Sequence, residues 1–313
     1  MKKYRRVLSI AILEFLVFFA LVTIVRCITV IPIPHLQNYG ECIVFVNAWG
    51  LATGHGLYRL SVINKVPMFF AAYSPIFYLL LAAGFKLWGI SYIPGRTLAL
   101  LATIGCAIMV ALIARRRGCD NSSAIAGGLA FISTWPLYIF GAYLRVDQLA
   151  VFFELVAVYL ILDSSISVRR AAVIVFFGVM AGYTKQTAFN LVLGSLIGLM
   201  IEGDIRQKKR IFVIGCAYGL AAAVIFFIME LITGWSFHQF INPKVYMGFS
   251  RNYFLERVWE VLRDPVSAVI IILGIMGIVF EKRRFWIGIF IGIPLVWALR
   301  VEGMKGTSCN HFI

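Results

Sequence analysis

The feature that most constrains this chain is its long uncharged apolar runs, several of which approach the ~20 residues needed to cross ~30 Å of hydrocarbon. Backbone amides and carbonyls cannot stay unpaired in lipid, so such runs must be helices. Of the 313 residues, 61% are hydrophobic and only 14% charged, with a mean hydropathy of +0.91. A soluble domain carries roughly 25% charge. The expected fold class is therefore all-α: a polytopic transmembrane helix bundle of about nine spans plus external juxtamembrane helices. Residues 1–313 read as one membrane domain, with no repeat or low-complexity tract.

The net charge of +15 invites a nucleic-acid or anionic partner, but its distribution argues for topology instead. More than half of the 29 Lys and Arg residues fall in five clusters between apolar runs. These are Lys2/Lys3/Arg5/Arg6, Arg115–Arg117, Arg169/Arg170, Arg206/Lys208/Lys209/Arg210 and Lys282–Arg284. Cytoplasmic loops carry the excess of Lys and Arg, and one arrangement places all five clusters inside. In it, span 1 (about Val7 to Ile31) is an uncleaved first span that runs outward from a cytoplasmic N-terminus. Span 2 (about Thr97 to Ala114) returns, span 3 (about Ala124 to Tyr143) goes out and span 4 (about Gln148 to Leu162) comes back. Two short helices over Ala171 to Ile201 meet outside near Lys185. Spans near Ile211 to Thr233, Pro265 to Phe280 and Phe285 to Arg300 complete the chain. The apolar segment Pro75 to Trp88 must then lie on the surface, because crossing would turn every later cluster outward. External loops cover about 32–95 and 234–264.

All four histidines (His35, His55, His238 and His311) fall in external segments. So do Glu41, Asp147 and Lys185. Charged groups at the membrane are costly and point to function, yet each has a plainer reading. Glu41 in Tyr39-Gly40-Glu41 is either a general base with a raised pKa or an acid complementing a helix N-terminus. Asp147 in Arg145-Val146-Asp147-Gln148 is either a second functional carboxylate or the N-cap of span 4. Lys185 lies between two half-length helices, where a cation and free amides suit a phosphate, or else snorkels to the interface. Arg59, Lys65, Arg96, Lys244, Arg251 and Lys305 are further external cations. No metal-type histidine spacing occurs, so no metal is expected. The six cysteines contain no C-x-x-C pair; Cys42 and Cys309 share the external side, and unpaired thiols are the expected state.

The order of these motifs resembles the GT-C superfamily of membrane glycosyltransferases, near the branch of protein O-mannosyltransferases and aminoarabinose transferases (glycosyltransferase family 39-like). It is carried by Tyr39-Gly40-Glu41, Leu51-Ala52-Thr53-Gly54 and Tyr73-Ser74-Pro75-Ile76-Phe77-Tyr78. Arg96, Arg145-Val146-Asp147-Gln148, Gly182-Tyr183-Thr184-Lys185-Gln186 and Gly306-Thr307-Ser308-Cys309-Asn310-His311-Phe312 follow in order. The resemblance extends over the whole chain, which stops sooner than most members and is expected to be a C-terminally truncated one. It supports a surface helix at Pro75 and implies an inverting transferase of a bacterial or archaeal plasma membrane. Such an enzyme moves a sugar from a polyprenyl-phosphate donor to a glycan, lipid or protein acceptor at the external face, without a cofactor and without nucleic acid. Glu41 takes the family's catalytic acid position. Asp147 orients the acceptor or pairs with Lys185, and Lys185, Arg59 and Arg96 hold the lipid phosphate. The competing classes are a transporter or flippase of a lipid-linked or anionic solute, and a non-catalytic envelope scaffold.

Overall fold

A computed structural model describes residues 2–58, 71–163, 166–202 and 205–241, with single positions between 252 and 272. Arg59, Lys65, Lys244, Arg251, Lys305, Cys309 and His311 lie outside the described residues. So do most of the second external loop and of the two spans expected after Pro265.

Among the described residues the protein is all-helical. Three helices are long and apolar enough to cross a membrane: α1 (Lys2–Val30, apolar from Ser9), α4 (Ile93–Arg116) and α10 (Ile205–Ile232). Between them lie α2 (Tyr39–Ala52), α3 (Pro75–Trp88), α5 (Asn121–Ile132), α6 (Trp135–Phe140), α7 (Asp147–Ile161), α8 (Val168–Thr184) and α9 (Asn190–Glu202). The short α11 (Phe237–Ile241) follows α10. The five described cysteines are free thiols.

Local chemistry explains most boundaries. Pro75 starts α3, where its missing N–H costs nothing, and Gly89 at φ 85° ends it. Asp120 caps α5 by accepting from the Ser123 N–H, and Ser167 caps α8 through the Arg170 N–H. The expected third span, Ala124 to Tyr143, is not one helix. Pro136 has no N–H to bond the Ile132 carbonyl and its ring would clash with that carbonyl in a continuous helix, whereas it is tolerated in the first turn of a new one. The chain therefore breaks at Ser133–Thr134, forms α6, and leaves residues 141–146 as an irregular turn.

Ion pairs and hydrogen bonds give the bundle two distinct ends. At one end Asp163, just past α7, bonds Arg116 at 3.3 Å from the end of α4 and Arg170 at 2.6 Å from the start of α8. The clusters Arg115–Arg117 and Arg169/Arg170 therefore share a face. At the other end Arg96, near the start of α4, bonds the Val30 carbonyl at the end of α1, and Lys185 follows the end of α8. Thus α4, α7 and α8 all run between the basic end and the end that holds the candidate residues.

Helices approach closely where glycine removes a side chain. A Cβ at Gly128 would lie 2.6 Å from the Ala107 carbonyl, so α5 and α4 touch backbone to backbone. A Cβ at Gly182 would lie 1.9 Å from the Phe189 ring, which folds back over α8 and packs on Tyr183 and Tyr218. Gly182→Ala should therefore lower stability by about 1–3 kcal/mol. Gly219→Ala, where nothing lies within 4 Å, should leave the unfolding midpoint in detergent unchanged or slightly raised.

Candidate functional site

Asn38 caps α2 by accepting from the Gly40 N–H, which places Glu41 in the first helical turn. Glu41 does not point to solvent there. It is fully buried against Arg96, also fully buried, with Oε2 2.7 Å from Nη2 and Oε1 2.9 Å from Nε. The remaining Arg96 hydrogens go to the carbonyls of Val30, Ile33 and His35. The remaining Glu41 positions accept from the N–H of Leu144 and of Gln37.

A guanidinium has five N–H donors, and a carboxylate has about four lone-pair sites. Both inventories are spent. Glu41 thus has no acceptor site left for a substrate hydroxyl, and Arg96 has no donor left for a phosphate. The pair joins the end of α1, the 31–38 linker, α2, α4 and the turn before α7.

Asp147 presents a different arrangement. It is not the N-cap of its helix: Val146 occupies that position, and no side chain caps α7. Its carboxylate reaches sideways between two cations, with Oδ1 2.5 Å from Lys185 Nζ and Oδ2 3.1 Å from Arg145 Nε. All three side chains are nearly buried. Burial works against the Arg145 charge, but the adjacent Asp147 carboxylate more than restores it, raising its pKa. Burial pushes the Tyr73 phenol up as well, with Arg145 pulling against it, so Tyr73 is a neutral hydrogen-bonding group. Two cations thus face one carboxylate in this cluster.

The cluster is recessed. The Cys106 thiol contacts the Gln148 carbonyl at 3.5 Å. Cys106 is about ten residues, roughly 15 Å, along α4 from Arg96. The start of α7 therefore lies below the Glu41–Arg96 pair, toward the middle of the bundle. Arg145 spans the interval, since a Cβ on Gly40 would meet its guanidinium at 3.4 Å. The break between α8 and α9 lies beside the recess. Gln186, next to Lys185, donates to the carbonyls of Ala72 at 2.9 Å and Ile241 at 3.3 Å, tying the segment before α3 to α11. Deeper still, Glu154 accepts from the Leu191 N–H at 3.0 Å, so a carboxylate of α7 complements the start of α9.

Of the residues singled out in the sequence, Asp147 and Lys185 come together directly, while Glu41 and Arg96 form a separate saturated pair above them. Arg59 lies outside the described residues. Arg145 and Tyr73 were not selected as site residues, although both stand inside the motifs quoted above. Their signal was adjacency to Asp147 and Pro75, and only the fold shows that these segments meet.

Solved structures of ArnT from Cupriavidus metallidurans share this all-helical fold. The form bound to undecaprenyl phosphate aligns at a TM-score of 0.67 and 17% identity over 95% of this chain. The apo form aligns at 0.60 and 15% over 92%. The chain spans 57% and 59% of those two chains, respectively. No family model matches the sequence, and no curated protein matches it.

The two carboxylates should respond differently to replacement. Removing one partner of a buried ion pair costs about 3–5 kcal/mol, whereas replacing both with apolar groups is often neutral. Glu41→Gln or Arg96→Met alone should sharply lower the thermal midpoint and yield of folded protein, and the Glu41→Leu/Arg96→Met double variant should recover most of it. Thermal melts with size-exclusion profiles in detergent test this.

Proposed function

We propose that this protein is a glycosyltransferase that moves a sugar from a polyprenyl-phosphate donor to an acceptor hydroxyl in the Asp147 recess. The observation that carries the reading is Asp147 held buried between Lys185 and Arg145, at the end of the bundle opposite the basic clusters. The likeness in fold to a protein bound to undecaprenyl phosphate supports it. By the positive-inside rule the basic end and the N-terminus face the cytoplasm, so the recess opens externally.

Lys185 and Arg145 bind the donor phosphate and draw it below the surface, while the prenyl tail stays in lipid. Releasing Asp147 from its two cations leaves a carboxylate beside the anomeric carbon. Asp147 accepts the proton of the acceptor hydroxyl, whose oxygen attacks that carbon from the side opposite the phosphate. The carbon–oxygen bond to phosphate breaks, and its electron pair leaves with the phosphate, held by Lys185 and Arg145. Inversion at the anomeric carbon follows from this single displacement. Phosphate is a stable leaving anion, so the step needs one base and positive charge, not a proton donor. In this scheme Glu41 and Arg96 brace the recess rather than react. The acceptor and the sugar are selected by groups other than these.

Release of free polyprenyl phosphate from a labelled polyprenyl-phosphate sugar, in membranes holding the protein, measures the reaction. Asp147→Asn should reduce acceptor-dependent release by about 10²-fold or more per amount of folded protein. Lys185→Ala should also lower it, by about 10²–10³-fold. Loss per amount of folded protein in Glu41→Gln but not in Asp147→Asn would return the base role to Glu41. Activity should persist without added divalent cation, and loss on chelation with rescue by one metal would overturn that expectation.

A further inference from the structure

Helices α8 and α10 pack side by side. The contact is made by Tyr218, whose hydroxyl donates to the Gly178 carbonyl at 3.4 Å, and by Tyr183, whose hydroxyl donates to the Ala222 carbonyl at 2.7 Å. A Cβ at Gly178 would meet the Tyr218 ring at 2.8 Å, so this contact is as close as it can be. Beside it the facing walls are apolar, with Ala171, Val175 and Phe176 on α8 and Ala217, Ala221 and Ile225 on α10. A groove remains, holding a cavity of about 570 Å³ that continues into one of about 440 Å³ at the basic end.

That end of the groove changes character. Its lining includes Ser167, Lys209 and Arg210, and the apolar walls run from there toward Met180 and Ile225. From Val168 to Met180 the wall is about 18 Å long at 1.5 Å per residue, comparable to a lipid acyl chain. Both volumes lie in the ~300–1,000 Å³ range of ligand pockets. The cations at the mouth have no acidic partner among the lining residues, so the mouth favours an anionic group. A basic pocket between helices at the cytoplasmic surface suits an anionic lipid headgroup.

We propose that the α8–α10 groove is a binding site for an anionic phospholipid of the cytoplasmic leaflet. Its phosphate sits at Lys209 and Arg210, and one acyl chain lies along the apolar walls. The site is at the opposite end of the bundle from the Asp147 recess and does not depend on the transfer reaction. Charge at one end and an apolar trough of chain length commit it to a lipid rather than to free phosphate.

The test titrates full-length protein in detergent with phosphatidylglycerol, phosphatidylcholine or polyprenyl phosphate and counts retained molecules by native mass spectrometry. Wild type should retain phosphatidylglycerol over phosphatidylcholine. Lys209→Gln/Arg210→Gln should weaken that retention roughly 30-fold, as expected for two interfacial charges. Ala217→Phe, which fills the trough with all charges in place, should also weaken it. Arg115→Gln/Arg117→Gln, which removes two charges from the same face, should not. Equal retention of the two phospholipids would overturn the proposal, as would equal loss in the Arg115/Arg117 control. Retention of polyprenyl phosphate that depends on Ala217 but not on Lys209 and Arg210 would assign the groove to a prenyl tail instead.

Discussion

The architecture depends on the Glu41–Arg96 pair. Two full charges are buried without solvent, which is expensive unless every donor and acceptor is satisfied. Here the five guanidinium N–H groups and the carboxylate sites all have partners, supplied by the end of α1, the linker after it, Gln37 and Leu144. The pair therefore specifies a geometry: α1, α2, α4 and the 141–146 turn have to converge on one point for the charges to be tolerated. Gly95 beside Arg96 is part of the same arrangement, because a Cβ there would meet Leu144 at 2.7 Å.

That convergence positions the recess. The turn that offers the Leu144 N–H to Glu41 continues through Arg145 to Asp147, so fixing residue 144 aims the next three. From the other side, the α8–α9 break brings Lys185 to Asp147, and the Gln186 side chain ties it to the segment before α3 and to α11. Asp147 is thereby held by cations from two directions instead of capping its helix. The upper pair and the lower cluster are both buried carboxylate–cation contacts, and they differ in depth and in the segments that supply their partners.

Much of the fold was legible in the sequence because lipid leaves few options. Apolar runs must be helices, basic clusters must share a side, and Pro75 and Gly89 mark the ends of a short helix whatever the tertiary structure. Asp163 then shows physically what charge counting implied, by bridging Arg116 and Arg170 at one end of the bundle. The break at Ser133–Thr134 was also written in the sequence, in Pro136, but hydropathy averaged over twenty residues conceals it. The order of Tyr39-Gly40-Glu41, Arg145-Val146-Asp147 and Thr184-Lys185-Gln186 also carried a likeness in fold, which the ArnT structures share.

The roles within the site were not legible in this way. Glu41 and Asp147 look equivalent as letters: each is an acid near an arginine at the start of a helix. Whether a carboxylate has a lone pair to spare depends on which backbone amides and cations converge on it. Those come from residues as distant in the chain as Val30, Leu144 and Lys185. Sequence by itself determined that this chain is a membrane helix bundle with its charged residues at defined ends, because desolvation acts on each segment independently. Only the tertiary structure decided that Glu41 is spent on Arg96 while Asp147 faces Lys185 and Arg145, because hydrogen-bond saturation is a property of the assembled partners.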